Sequence, residues 1–244
     1  QDEAEVKAAL AAHHKVAADL QPLEKKFSTL QPTDENKVML AQYDAKQLYY
    51  LQYANLGKQF DVAADPEITL YNEYFGGGMN TIVFQEMREA RGLAYSAWAN
   101  LAIPTNAKGD YYYMAFIATQ NDKMQKAIEA FDEIINNMPE SETAFKIAKE
   151  GLISRLRTDR TVKEQVLWSF IGLRNLGLEE DRDKQIFEKV QAMTLADVKA
   201  AQEKWVKNRK YVYGILGDIQ DLDLNYLKTL GPIQTVTQEE IFGY

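Results

Sequence analysis

The chain has 244 residues, a formal net charge of −8 and no cysteine, and 46% of its residues are hydrophobic. This composition is typical of a globular protein, and it excludes disulfide bonds, thiolate metal sites and a cysteine nucleophile. The acidic balance would repel nucleic-acid phosphates at long range, so we expect no nucleic-acid partner. No apolar run approaches the roughly 18 residues that span a bilayer, so we expect no membrane span.

The amino-terminal segment is rich in Ala, Glu, Lys and Leu, with apolar residues at helical spacing over residues 2–29. We predict one long leading helix that ends before Pro32, because the residue preceding a proline disfavours helical backbone. Residues 1–33 are interpreted as a helical connector and residues 34–244 as the domain proper. The first residues lack a signal-peptide pattern and an initiating Met, which indicates a piece of a longer chain. The compartment stays open, and an exported, periplasmic or organellar location is compatible with the sequence.

The first part of the domain is predicted to alternate between strands and helices. A proline after Asp65 indicates a helix start with Asp65 as its N-cap, and the Gly76–Gly78 run provides a stop. The polar, glycine-closed segment 104–109 is typical of a hairpin connection. The predicted elements are a strand over 47–56, helices over 65–74 and 80–90, and antiparallel strands over 94–103 and 110–119.

The second part is predicted to be mainly helical, with one late strand. Thr194 is the expected cap of the last long helix, and Gly217 ends the strand. Together the elements predict an α+β fold, a mainly antiparallel sheet with helices on one face. These elements are helices over 123–137, 141–157, 162–176, 182–190 and 195–206, a strand over 211–216 and a short helix over 222–230.

The most specific pattern is FGGGMNTIVFQEMREARGLAYS, residues 75–96, which combines a triple glycine with an amphipathic helix that ends in R-E-x-x-G-L-x-Y. This segment resembles the pitrilysin or insulinase (M16) family of zinc metallopeptidases, in particular the zinc-free domain. The resemblance extends more weakly from about residue 37 to the end. It implies a metallohydrolase-like α+β domain in the carboxy-terminal half of a clamshell, whose two halves enclose a peptide substrate.

The zinc signature of that family, H-x-x-E-H on a helix, is absent from the chain. The only histidines, His13 and His14, are adjacent on the predicted helix and point about 100° apart, so they cannot share one ion. We therefore predict no metal site in this chain and no hydrolytic activity of the chain alone. The resemblance implies that Zn²⁺ is bound by a zinc-bearing amino-terminal half, which the connector-like leading segment would place on the same polypeptide.

Arg88 and Tyr95 match the arginine and tyrosine that, in the resembling enzymes, reach across to the zinc site and bind the substrate carbonyl and its oxyanion. A guanidinium and a phenol are suitable donors for charge that develops on a peptide oxygen. From composition alone, a helix-end salt bridge for Arg88 and strand packing for Tyr95 would be the simpler interpretation. The neighbouring Glu86, Glu89 and Arg91 are interpreted as a solvated helix face.

The glycine-rich loop Gly76–Gly78 could bind a ligand through its backbone amides, but we favour helix termination and close packing. Nucleotide binding is not supported, because no Lys-Ser/Thr pair follows at P-loop spacing. Tyr49–Tyr50 and Tyr111–Tyr113 could line a peptide-holding cavity, although strand alternation would place half of these rings in the core.

The sequence thus predicts the non-catalytic part of a zinc endopeptidase, which encloses peptide substrate and supplies Arg88 and Tyr95 to the active site of the partner half. The alternative is a catalytically inactive scaffold subunit of the same fold, as in processing or respiratory complexes. Retention of Arg88 and Tyr95 favours the first, because a scaffold has no need of an oxyanion donor pair. The preferred substrate sequence cannot be derived from these residues.

Overall fold

A computed structural model describes residues 2–15, 17–20, 30–163 and 165–243 of the chain. Its centre is one six-stranded sheet with the strand order β3-β4-β2-β5-β1-β6. The β2–β4, β3–β4 and β2–β5 pairs are antiparallel, whereas β1 pairs in parallel with β5 and β6. The strands are β1 (Lys37–Gln42), β2 (Gln47–Gln59), β3 (Ser96–Ala102), β4 (Asp110–Gln120), β5 (Val212–Gly217) and β6 (Ile233–Thr235).

Among the described residues the predicted helices occur in the predicted order, and the short last helix was not predicted. Two of them continue as π-helical turns, Asn72–Gly76 after α2 and Gln85–Ala90 after α3. The helices are α1 (Glu3–His13), α2 (Asp65–Tyr71), α3 (Ile82–Phe84), α4 (Met124–Asn136), α5 (Glu142–Thr158), α6 (Gln165–Asn175), α7 (Arg182–Val190), α8 (Leu195–Trp205), α9 (Leu224–Leu230) and α10 (Gln238–Phe242).

Burial alternates along the strands, so that the sheet has one buried face and one open face. On the buried face Tyr50, Tyr113 and Ile117 are fully buried beneath the helices, and Phe131 of α4 packs in the same core. On the open face most side chains are half-buried or exposed. The predicted class is therefore confirmed: an α+β fold with a mainly antiparallel sheet, helices on one face and a leading helix.

Three details of the prediction are wrong. The leading helix ends at His13 and does not continue to residue 29, because α1 buries no side chain and His14 has extended backbone. Residues 21–29 lie outside the described residues. Asp65 does not cap α2: a short 3-10 turn capped by Asp61 precedes it, and the side chain of Asp65 is buried. Strands β1 and β6 were not predicted.

Candidate functional site

Arg88 and Tyr95 lie side by side at the end of the sheet where β3 begins. The guanidinium carbon of Arg88 lies 5.5 Å from the centre of the Tyr95 ring and 5.0 Å from that of Phe84, within the range of cation–π contacts. Tyr95 is 73% exposed, and the side chain of Arg88 is 45% exposed. The structure thus brings the two residues together and presents both to solvent.

The two arginines of this helix have different partners. Arg91 donates to Glu133 at 2.7 Å and to Glu86 at 3.4 Å, and these carboxylates raise its pKa. The nearest carboxylate oxygen to Arg88 belongs to Glu89, at 3.7 Å, which is beyond hydrogen-bond distance. Glu86 and Glu133 therefore hold Arg91 in place. Among the described residues, no such hydrogen bond holds Arg88, so its donors remain available to a ligand.

A local break of the helix explains this placement. Residues Gln85–Ala90 form a π-helical turn, and Gly92 follows in the left-handed region with φ 58°. The carbonyl of Met87 then accepts from the amides of both Leu93 and Ala94, and the Tyr95 amide donates to Ala118 on β4. The chain consequently turns back at once from the helix to the sheet, which brings Tyr95 beside Arg88.

The glycine-rich loop has a packing role at its first residue. Gly76 is buried, and a Cβ atom placed there would lie 2.7 Å from the carbonyl oxygen of Ala99 on edge strand β3. Beside it, the Asn72 side chain both donates to and accepts from the Leu101 backbone at 2.9 Å. This turn therefore covers part of the β3 edge, and glycine permits the close approach.

Gly77 and Gly78 instead line an open cavity of about 600 Å³ between this loop, β3 and α5. Its charged residues, Glu73 and Arg155, are paired with each other through two hydrogen bonds. Arg88 and Tyr95 do not line this cavity. The predicted site residues therefore occupy two places: the exposed pair at the start of β3, and the glycine loop at the cavity.

The open face of the sheet carries a row of aromatic rings that the sequence did not single out as a unit. Successive ring centres are 6.2 Å apart for Tyr43–Tyr49, 5.8 Å for Tyr49–Phe116 and 5.8 Å for Phe116–Trp98. We call these four residues the aromatic row. Trp98 follows Tyr95 by three residues, so their Cα atoms lie at most about 11 Å apart.

The sequence left open whether Tyr49–Tyr50 and Tyr111–Tyr113 lie in the core or line a cavity. The structure places these five tyrosines on alternate faces of the sheet, as strand geometry requires. Tyr50, Tyr111 and Tyr113 are fully buried on the helix-covered face, whereas Tyr49 and Tyr112 are half-buried on the open face. Of these five tyrosines, only Tyr49 and Tyr112 can contact a molecule that lies on the open face of the sheet.

Beneath the sheet, Asp132 of α4 is a carboxylate in an aromatic environment. Burial raises its pKa to about 6, and the nearby Gln52 amide offsets this rise in part without a well-directed hydrogen bond. The charge of Asp132 in turn helps to raise the pKa of five surrounding phenols, which belong to Tyr50, Tyr113, Tyr211, Tyr213 and Tyr226. This group lies on the helix-covered side of the sheet, where Asp132 and Tyr226 are half-buried.

Asp65 is a second buried carboxylate, and its partner is Arg182. The Arg182 Nε atom lies 3.0 Å from an Asp65 carboxylate oxygen, although it does not point along a good hydrogen-bond direction. Burial raises the pKa of Asp65 to about 6 despite the opposing effect of Arg182. The pair joins α2 to α7, which is a structural role.

No metal site was predicted within this chain, and the described residues contain no group of three His, Cys, Asp or Glu side chains that could hold an ion. The donors available here therefore do not fit a catalytic zinc. In the same part of the chain, no helix has the length and apolar character required to cross a membrane.

The fold and these features define an M16-type domain without zinc ligands. A family model described as the peptidase M16 inactive domain matches residues 4–152, which is more than half of the chain. The chain therefore belongs to the M16 peptidase family, as its inactive domain. No curated protein sequence matches the chain.

Solved structures share the fold at low sequence identity. The peptidase M16 inactive domain from Pseudomonas fluorescens is 18% identical, with a TM-score of 0.63 over 81% of this chain and 47% of that one. A protease from Helicobacter pylori is 11% identical, with a TM-score of 0.66 over 89% and 53%. A chain of Complex III2 from Candida albicans is 18% identical, with a TM-score of 0.57 over 95% and 57%. This chain thus spans about half the length of these structures.

Proposed function

We propose that this domain is the non-catalytic part of an M16 endopeptidase assembly, in which it holds a peptide that a zinc-bearing companion half hydrolyses. We call that partner the companion half. The observation that carries the proposal is the exposed Arg88–Tyr95 pair, in which the guanidinium carbon lies 5.5 Å from the centre of the Tyr95 ring and both side chains are accessible to solvent.

Arg88 and Tyr95 would act as hydrogen-bond donors to the peptide. The guanidinium has several fixed N–H donors and stays charged, and the phenol offers one O–H donor. Both can stabilise negative charge on a peptide carbonyl oxygen as it develops during attack, provided that water is excluded from the closed site. This chain supplies only these donors, and the metal and the attacking water belong to the companion half.

The open face of the sheet supports the same proposal. The aromatic row offers half-exposed ring faces and edges to an extended or unfolded segment, beginning at Trp98, close to Tyr95. Such rings bind apolar and amide groups with little dependence on sequence. We infer that this face forms one wall of the enclosure, and that it selects peptides by fit more than by sequence.

The second candidate is a scaffold subunit without any role in peptide hydrolysis. It is favoured by the shared fold of a chain in Complex III2 from Candida albicans. A scaffold would need the sheet and the helices but not the exposed donors. The two functions therefore differ in what the removal of Arg88 and Tyr95 should do.

The test is hydrolysis of a fluorogenic peptide by the companion half, supplied as a separate polypeptide and mixed with this chain. Wild-type chain should raise the rate, and a folded Arg88→Ala/Tyr95→Phe variant should not. Glu89→Gln is the matched control, because it removes the carboxylate nearest Arg88 and keeps both donors. Equal activity with wild type and the double variant would establish the scaffold function instead.

A further inference from the structure

The helix α6 exposes large apolar side chains to solvent. None of its residues with a described side chain is buried, and every described residue from 157 to 171 is exposed. The fractional exposure is 58% for Leu167, 66% for Trp168 and 55% for Phe170. With Val162, Val166 and Ile171, the exposed apolar area sums to something on the order of 600 Å².

These side chains span about 200° of the helix surface, and the remaining face carries the uncharged residues Gln165 and Ser169. At 100° per residue, Val166 and Phe170 share one side, and Trp168 lies on nearly the opposite side. A helix that lies on a membrane surface typically has a strongly charged face opposite its apolar one, which Gln165 and Ser169 do not provide. A helix that is apolar on several sides is normally enclosed by protein. The distribution of apolar side chains therefore favours a protein groove that encloses α6.

The ends of this segment are basic, although the whole chain carries a net charge of −8. The cations Arg157, Arg160, Lys163 and Arg174 outnumber the two carboxylates of residues 157–175. Arg174 packs over the Phe170 ring at 5.8 Å, so its charge borders the apolar surface. A matching groove would therefore have an apolar floor and an acidic rim.

Among the described residues, the contacts that anchor α6 to the domain lie at its carboxy-terminal end. Its carboxy-terminal residue Asn175 accepts a hydrogen bond from the amide of Ala107 in the β3–β4 connection, and Leu176 is buried. The amino-terminal end follows Lys163, which has a positive φ of 52°. The rest of α6 projects from the domain, as a helix that inserts into a neighbour would.

We propose that α6 is the docking element that inserts into an apolar, acid-rimmed groove of the companion half. The inference rests on the proposed function for the existence of that half. The matched structures support a neighbour of similar size, because this chain spans only 47% to 57% of their lengths. A neighbour in the assembly would cover the apolar surface that α6 exposes here.

The test is binding of the companion half to this chain, measured by calorimetry. Trp168→Ser/Phe170→Ser should weaken binding about 30-fold or more, as expected for central aromatic contacts. Val6→Ser/Leu10→Ser, which removes two exposed apolar side chains from α1, is the matched control and should bind normally. Circular dichroism checks folding, which should persist because α6 buries none of its described side chains.

Three results would overturn the inference. The first is unchanged binding by Trp168→Ser/Phe170→Ser, and the second is an absence of binding by the wild-type chain. The third is a role of α6 elsewhere, with no effect of α6 on affinity for the companion half. It would be seen as an α6-dependent dimer of the chain alone in sedimentation equilibrium, or as α6-dependent flotation with phosphatidylglycerol–phosphatidylcholine vesicles.

The docking role and the proposed function fail in different ways. Arg88→Ala/Tyr95→Phe should keep wild-type affinity for the companion half and lose activity. The Trp168→Ser/Phe170→Ser variant should regain activity when the chain is added at saturating concentration. Binding that depends on α6, together with activity that is indifferent to Arg88 and Tyr95, would retain the docking element and reject the donor role.

Discussion

Replacement of Asp132 by Asn should stabilise the protein at neutral pH. Asp132 faces Tyr50 and Gln52 on β2, Tyr213 on β5 and further phenols on β4 and α9, and burial raises its pKa to about 6. An ionised carboxylate is disfavoured there, because none of these neighbours carries a positive charge. Asn has the same shape and is neutral at all pH values, so the substitution removes the cost of ionisation with little change in packing.

The magnitude follows from the difference in pKa between the folded and unfolded states. The pKa rises from 3.8 to about 6, and each unit corresponds to about 1.4 kcal/mol, so the full effect is about 3 kcal/mol. Because the folded-state pKa is raised, the contribution of Asp132 to stability is most favourable below pH 3.8 and falls as pH rises to about 6. Above that pH, the ionised carboxylate lowers the free energy of unfolding by a constant amount.

The assay is urea denaturation of wild type and Asp132→Asn at several pH values between 4 and 8. The two proteins should have similar free energies of unfolding at pH 4, and the variant should be more stable by about 2 to 3 kcal/mol at pH 7.5. A gap that does not change with pH, or a variant that is less stable at pH 7.5, would refute the reasoning about Asp132.

Two further predictions concern packing and charge. Gly76→Ala should destabilise the protein by about 1 to 3 kcal/mol, because the new Cβ would lie 2.7 Å from the Ala99 carbonyl oxygen. Gly77→Ala should change stability little, because its new Cβ would lie 3.7 Å from the Trp98 Cβ, an ordinary contact distance. Equal effects in urea denaturation would contradict this. Arg182→Ala should cost about 3 kcal/mol at pH 8, since it leaves buried Asp65 without its partner. The loss should shrink at pH 5, where Asp65 is protonated, and a loss independent of pH would be inconsistent with its raised pKa.

Elements with strong local signals could be predicted from the sequence. Helix α7 has the predicted bounds, Arg182–Val190, and α8 starts with the capping box of Thr194 and Asp197. Strand β2 is long and rich in Tyr and Leu, so its position was also clear. In each case the residues that define the element lie within the element itself.

The missed strands depend on distant partners. Strand β1 pairs with β5, and Val38 lies opposite Tyr213, 175 positions further along the chain. Strand β6 has only three residues, Ile233–Thr235, too few for a pattern of alternation. The leading helix is present but ends earlier than predicted: helix propensity is strong over residues 2–29, but the described part, α1, buries no side chain that would stabilise a longer helix.

The candidate site was predicted only in part. The spacing of Arg88 and Tyr95 singled them out, but their contact depends on the π-helical turn Gln85–Ala90, which no local pattern marks. The aromatic row brings together residues from β2, β3, β4 and the end of β1, so it follows from strand order and register. The exposure of α6 likewise depends on what the rest of the domain leaves uncovered.

The most direct test of the account is the turnover rate of the reconstituted assembly with Tyr95→Phe, a change that removes a single hydroxyl group. If Tyr95 donates to the developing oxyanion, kcat should fall about 100-fold while the affinity between this chain and the companion half stays the same. An unchanged kcat at full assembly would contradict the claim that this domain contributes donors to peptide hydrolysis.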